Sequence, residues 1–126
     1  MSYNISVYPI EFYQKTQDLG LSFDAVCDFL EKEENLVSFS DDQLEKIDGH
    51  LKNRGFTSKG KSKARKDYSN KKYPSVSIML TKSGLYFDAR GEDVMEISMT
   101  SSEFKSDYGL KGFFAVFDTH NGGWIS

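Results

Sequence analysis

Residues 55–62 carry the most specific chemical pattern in this chain. Gly55, Gly60, Lys61 and Ser62 match the spacing G-x-x-x-x-G-K-[ST], in which backbone N–H groups and a lysine hold nucleotide phosphates. That arrangement needs a buried strand before the glycine-rich loop and a helix N-terminus after it. Here a helical pattern comes first, and the residues that follow have no apolar stripe. We therefore interpret the match as a coincidence within a segment rich in Lys, Gly and Ser.

The same segment carries a strong positive charge. Residues 59–72 hold six lysines and one arginine against a single acid, Asp67. Cations at this density can contact a phosphate backbone, so a small nucleic-acid-binding protein is the alternative function, with an affinity that falls steeply with salt. Its contact residues would be Lys59, Lys61, Lys63, Arg65 and Lys66. Alternatively, the basic segment is a solvated loop without a ligand, or a loop that folds back on the chain's own acidic face.

Acidic side chains concentrate in the first half of the chain. Residues 11–48 hold eleven acids and three lysines, although the net charge of the whole chain is only −3. Such stripes are often simply the solvated faces of helices. They can also form a surface that meets a basic partner, because charge complementarity speeds encounter and favours specificity. The residues we assign to partner binding are Asp24, Asp28, Glu31, Asp41, Asp42 and Glu45.

Few residues could serve catalysis or metal binding. His50 and His120 are the two histidines, and with nearby lysines they could act as an acid–base pair in a small nuclease or hydrolase, which is a third hypothesis. However, His50 lies one residue from the core stripe of its helix, and His120 falls in a predicted turn. No spacing suggests three or four converging metal ligands. We predict no catalytic residue, no metal and no cofactor, and we interpret Cys27 as a small buried hydrophobe.

Length and composition limit the classes of protein to which this chain can belong. A chain of 126 residues is expected to form a single α+β domain over residues 1–126. One cysteine excludes an internal disulfide and fits a reducing compartment. The first residues do not resemble a signal peptide, and no apolar run is long enough to span a membrane. We therefore expect a cytoplasmic protein without a membrane partner.

The hydrophobic patterns predict an α+β fold with an antiparallel sheet of about five strands and two or three helices packed on one face. Polar–apolar alternation or short apolar runs between turn residues predict the strands, which we place at residues 2–9, 75–80, 85–89, 94–99 and 112–117. A short apolar pair at residues 124–125 follows the last turn. Residues 57–72 are expected to form a basic, mobile loop.

Helical spacing and capping residues place the helices. Ser22 is a good N-cap for a helix over residues 22–34, and Ser40 with Gln43 forms a capping box for a second helix that ends near Gly55. Residues 10–18 are expected to form one or two helical turns. Residues 100–108 begin with another capping pattern, which predicts one short helical turn.

Two parts of the chain are similar to a known group of proteins. Residues 1–8 (MSYNISVY), residues 83–87 (SGLYF), Glu103 with Phe104, and residues 115–124 (AVFDTHNGGW) resemble a group of small bacterial proteins whose chains close with a strand, an Asp-led turn and a tryptophan. Proteins of this pattern are often encoded beside polymorphic or contact-dependent toxins and act as immunity proteins.

This resemblance implies a non-enzymatic protein that binds one toxin domain and neutralises it, as a monomer that forms a one-to-one complex. It supplies no contact residues, because such inhibitors diverge most where they touch the toxin. The basic segment is unexpected in an inhibitor of a cationic nuclease. It would fit a toxin that also presents an acidic patch.

Overall fold

Alternating helices and strands place most of the chain in regular structure. A computed structural model describes residues 2–62 and 65–125, with the backbone alone for residues 60–62. The strands are β1 (Ser2–Pro9), β2 (Thr57–Ser62), β3 (Arg65–Ser69), β4 (Ser77–Thr81), β5 (Leu85–Arg90), β6 (Phe114–Asp118) and β7 (Gly123–Trp124). The α-helices are α1 (Ile10–Asp18), α2 (Phe23–Leu30), α3 (Asp41–Asn53) and α4 (Val94–Ser106). Single 3₁₀ turns lie at Glu33–Asn35, Gly91–Asp93 and Thr119–Asn121.

The strands form one antiparallel sheet in the order β2-β3-β4-β5-β1-β6-β7. The α+β class is thus confirmed, but the described residues give seven strands and four α-helices rather than about five strands and two or three helices. The N-terminal strand β1 lies between β5 and β6, with Ile5 opposite Phe87 and Val7 opposite Val116. Its predicted place in the C-terminal sheet is therefore confirmed.

Helices cover both faces of this sheet, so the prediction of helices on one face is wrong. On the face that we call the first, Val7, Phe87 and Val116 pack in one buried cluster, which also contains Ile47 of α3 and Phe104 of α4. On the second face, a separate cluster joins Tyr8 and Phe117 to Phe12 of α1 and Val26 of α2. Successive strand residues point to opposite faces, and β1 and β6 carry apolar residues on both, so each face needs its own cover.

Local capping explains where the helices begin and end. Ser40 N donates to Gln43 Oε1 at 2.8 Å, and Gln43 N donates to Ser40 Oγ at 3.1 Å, which confirms the capping box. Gly55, with a φ of 88°, follows α3 in the left-handed conformation that ends many helices. Helix α2 ends at Leu30, earlier than predicted. The side-chain amide of Asn35 donates from Nδ2 to Phe29 O at 3.0 Å, so this backbone carbonyl at the C-terminal end of α2 has a partner.

The predicted loop at residues 57–72 contains a β-hairpin instead, formed by β2 and β3. Tyr68 is buried and packs in the first-face cluster, and its register opposite Ile78 joins the hairpin to β4. The low apolar content that indicated a loop arises because β2 is an edge strand. Lysine is common at such edges, where its charge discourages pairing with another chain.

The predicted strand at residues 94–99 is the start of helix α4, and the predicted cap at Thr100 lies inside that helix. Over six residues, alternation does not distinguish a strand from a helix. The longer spacing does, because Ile97, Ser101 and Phe104 are all buried on one side of α4. Met95 and Met99 are 71% and 50% exposed, on the side away from the sheet.

Alanine substitutions in α4 test this correction. The strand prediction placed Ile97 and Met99 on one face, whereas the helix buries the first and exposes the second. We expect Ile97→Ala to lower the free energy of unfolding by about 2–5 kcal/mol, because it leaves a cavity. Met99→Ala should change it by less than about 0.5 kcal/mol. Urea unfolding of both variants measures the difference, and equal losses would contradict the helix.

Candidate functional site

The six carboxylates predicted to bind a partner are all exposed, and they fall into two groups. Asp24 and Asp28 lie on α2, with Glu31 at its C-cap. Asp41, Asp42 and Glu45 lie in the first two turns of α3. Because α2 packs on the second face of the sheet and α3 on the first, the structure does not join them into one helix face.

The segment that links the two helices passes one end of the sheet. Phe39 N donates to Lys82 O at 2.8 Å, so this segment crosses beside the turn between β4 and β5. Lys15 Nζ also donates to Asn35 O at 2.9 Å, which ties the segment to α1. The C-terminal end of α2 and the N-terminal end of α3 are therefore connected around this end of the sheet.

Two further residues join the acidic group of α3. The buried Gln43 side chain donates from Nε2 to Glu11 Oε1 at 3.0 Å and to Phe113 O at 2.8 Å. Phe113 is 40% exposed, and Lys46 Nζ lies 4.7 Å from the centre of its ring. We call Glu11, Asp41, Asp42, Glu45 and Phe113 the α3 patch. Glu11 and Phe113 are not among the residues predicted from the sequence, because no local pattern shows that they lie beside α3.

Cys27 sits beside the acidic residues of α2. Its side chain is half-buried and packs against the second-face cluster. Burial, together with the neighbouring carboxylates of Asp24 and Asp28, raises the pKa of the Cys27 thiol. A thiol with a raised pKa holds little thiolate at neutral pH, and Cys27 contributes to the packing of the second-face cluster.

Two of the described cations of the basic segment are paired within the protein. Arg65 Nε lies 3.1 Å from Asp67 Oδ1, and Lys66 Nζ lies 3.3 Å from Asp48 Oδ1 on α3. Lys59 is exposed. The side chain of Lys61 and all of Lys63 lie outside the described residues. Two of the five predicted nucleic-acid contacts thus face carboxylates of the same chain.

Asp48 holds the hairpin against α3. It accepts hydrogen bonds from Tyr68 Oη at 2.7 Å and from Lys66, and it pairs with Lys52 at 2.9 Å. Burial opposes ionisation of this carboxyl, but the bonds from Lys52 and Tyr68 and the charge of Lys66 outweigh it and lower the pKa of Asp48. The ionised form is therefore the one that stabilises the docked hairpin.

The two histidines lie in separate settings. His50 is buried between α3 and α4, where Nε2 lies 3.1 Å from Thr100 O and 3.3 Å from Glu103 Oε1. His120 is exposed in the turn after β6, and its ring stacks on Tyr3 at 4.6 Å. The structure therefore does not bring them together as an acid–base pair.

The turn at His120 is organised by a buried carboxylate. Asp118 accepts hydrogen bonds from Tyr3 Oη, from His120 N at 2.9 Å and from Asn121 Nδ2 at 2.7 Å. Burial and the bond to Asp118 raise the pKa of Tyr3 to about 12. The phenol stays protonated at neutral pH and donates to Asp118, so this cluster fastens β1 to the last turn.

A polar cleft lies on the second face of the sheet, away from α1 and α2. It has a volume of about 270 Å³ and spans β1, β5, β4 and β3. Its lining consists mainly of the alternating residues that point to this face: Asn4, Ser6, Arg65, Asp67, Ser77, Met79, Tyr86 and Asp88. The sequence shows the polar residues that alternate with apolar ones along these strands. Only the strand order shows that these residues line one cleft.

Removing the charge of Asp48 should destabilise the protein in a pH-dependent way. Because the folded-state pKa is lowered, the contribution of Asp48 is present above the unfolded pKa of about 4 and is lost as the pH falls through the folded value. We expect Asp48→Asn to cost about 1 kcal/mol between pH 5 and 7. Urea unfolding should show the difference shrinking below pH 4, whereas exposed Asp28→Asn has no effect. A pH-independent cost would contradict this account.

No protein-family model, curated protein or solved structure matches this chain. Within residues 2–62 and 65–125, no helix is long and apolar enough to cross a membrane. In the same residues, no group of three or more His, Cys, Asp or Glu side chains could hold a metal ion.

Proposed function

We propose that this chain is a non-enzymatic binding protein that neutralises a protein toxin, as bacterial immunity proteins do. The α3 patch carries the proposal. It combines the exposed carboxylates of α3 and Glu11 with Phe113, a large aromatic side chain that is 40% exposed and is linked to α3 through Gln43 and Lys46. Protein interfaces commonly combine an aromatic anchor with a charged rim. The resemblance of residues 1–8, 83–87 and 115–124 to a group of small bacterial proteins that often act as immunity proteins supports the same function.

The charge of the patch indicates the kind of partner and the mode of inhibition. Asp41 and Asp42 lie in the first turn of α3, and Glu45 and Glu11 add two more exposed carboxylates, so the patch stays acidic although Lys46 Nζ lies 3.6 Å from Asp42 Oδ2. Such a surface attracts a basic one, and charge attraction raises the rate of encounter. A toxin that acts on an anionic substrate needs a basic active site. Covering that site would exclude the substrate without any chemical step.

A catalytic function receives less support from the described residues. His50 is enclosed between two helices, and His120 stacks on a tyrosine. The raised pKa of the Cys27 thiol and of the Tyr3 hydroxyl keeps both groups protonated. A nucleophile, its base and an orienting group would have to meet at one place.

Nucleic-acid binding, our alternative from the sequence, is also less favoured. Arg65 and Lys66 make ion pairs with Asp67 and Asp48. Contact with a phosphate backbone would have to compete with those pairs. The folded hairpin therefore fits a structural role for part of the basic segment.

Capture of the partner is the first test of the proposed function. Tagged protein would be used to isolate complexes from its native host at moderate salt, and mass spectrometry would identify them. A stoichiometric partner that is the C-terminal domain of a large secreted protein would support the proposal. Recovery of nucleic acid without a protein partner would overturn it in favour of the basic segment.

With the partner in hand, charge removal tests the α3 patch. We expect the triple variant Asp41→Asn, Asp42→Asn, Glu45→Gln to weaken partner binding by about tenfold or more, mainly at low salt, because it removes the attraction without changing side-chain size. The matched control is Asp18→Asn, Glu34→Gln, Glu92→Gln, which removes three exposed charges elsewhere. The corresponding triple variant at Asp24, Asp28 and Glu31 tests α2. Calorimetry measures each affinity, and unchanged binding in both helix variants would exclude the acidic residues as contacts.

A further inference from the structure

Asp88 of β5 is one of the residues that line the cleft on the second face. The sheet register places Asp88 directly opposite Asn4 of β1 and Ser77 of β4. Directly opposed residues in antiparallel strands have Cβ atoms about 4.5–5.5 Å apart, so both polar side chains flank the carboxylate. Tyr86, two residues earlier on the same face, is flanked by Ser6 and Met79 in the same way.

Among the described residues, Asp88 forms no ion pair, although Arg65 also lines the cleft and pairs with Asp67. Its Oδ1 atom is buried and has no hydrogen-bond donor. The second carboxylate of the cleft, Asp67, already has a cation, because Arg65 donates to both of its oxygens at 3.1 and 3.4 Å. Buried carboxylate oxygens without a donor are rare in native proteins, since burying charge is costly unless it is paired. A cationic group in the cleft would supply the missing balance.

We propose that the cleft binds one arginine side chain of the protein partner. A guanidinium group is planar and weakly hydrated, and its delocalised positive charge pairs well with a carboxylate. It also stacks well on an aromatic ring, and Tyr86 provides one in the wall of the cleft. The volume of about 270 Å³ lies just below that of clefts for drug-sized ligands, which fits a single side chain.

The fold keeps this cleft open to a partner. Helices α1 and α2 cover the part of the second face that β1 and β6 form, around Tyr8 and Phe117. The half of that face formed by β3, β4 and β5 has no helix over it among the described elements. Tyr86 packs against the covered half and contacts Tyr8 edge-on at 6.1 Å, so it forms a fixed wall between the two halves.

This inference rests on the proposed function only for the source of the arginine, so it can be tested without the toxin. The probe is N-acetyl-arginine amide, and the control ligand is N-acetyl-citrulline amide, which has the same shape but no charge. Titration of ¹⁵N-labelled protein should shift the backbone signals of Ser77, Tyr86 and Asp88 with the arginine probe. Citrulline should bind at least about tenfold more weakly.

Two variants locate the site. Asp88→Asn should abolish the shifts, whereas exposed Asp28→Asn should leave them unchanged. Asn4→Lys places an ammonium group beside Asp88 and should also prevent binding. Because Asn4 is exposed, this variant still tests the site if Asp88→Asn fails to fold. Equal binding of the two ligands, or arginine binding that survives both variants, would overturn the proposal. A further outcome concerns the source of the arginine. If the cleft binds the arginine probe but Asp88→Asn leaves toxin affinity unchanged, the cleft is a site for free guanidinium compounds. That result would overturn the assignment to the partner.

Discussion

The packing of β1 between β5 and β6 is the constraint on which the rest of the structure depends. Its alternate residues enter two cores, with Val7 in the first-face cluster and Tyr8 in the second. Both faces of the sheet therefore lose water at this strand and require helices. Helices α3 and α4 cover one face, and α1 and α2 cover part of the other. The uncovered remainder of the second face is where the polar cleft forms.

Polar contacts then fix elements that hydrophobic burial alone would leave loosely placed. The hairpin of β2 and β3 contributes one large buried side chain, Tyr68, and its hydroxyl is held by Asp48 of α3. At the other edge, Asp118 joins Tyr3 to the turn before β7. Both carboxylates have several donors, as groups removed from water require. These contacts account for titratable residues that could otherwise be taken for catalytic ones.

The α3 patch and the cleft share one property, which is negative charge. The α3 patch presents carboxylates that are exposed, and the cleft presents Asp88, whose Oδ1 atom has no donor. Both suit cationic groups of a partner, one as a broad surface that speeds encounter and one as a point of fixed geometry. Asp41, Asp42 and Glu45 lie on α3, which packs on the first face, whereas the cleft lies on the second face, so separate variants can measure their contributions.

The sequence by itself determined the elements with strong local signals. The capping box at Ser40, the N-cap at Ser22, the strand at β1 and the α+β class all follow from local spacing, and exposure of the six carboxylates follows from their side of each helix. Only tertiary structure decided the rest. Residues 94–99 alternate over a stretch too short to exclude a helix, and the packing of Ile97 and Phe104 selected one. Tyr68 gains its core and its Asp48 partner only in the folded chain, which turns a loop-like segment into a hairpin. The cleft could not be foreseen, because strand order is a long-range property that brings Asn4, Ser77 and Asp88 together across the sheet.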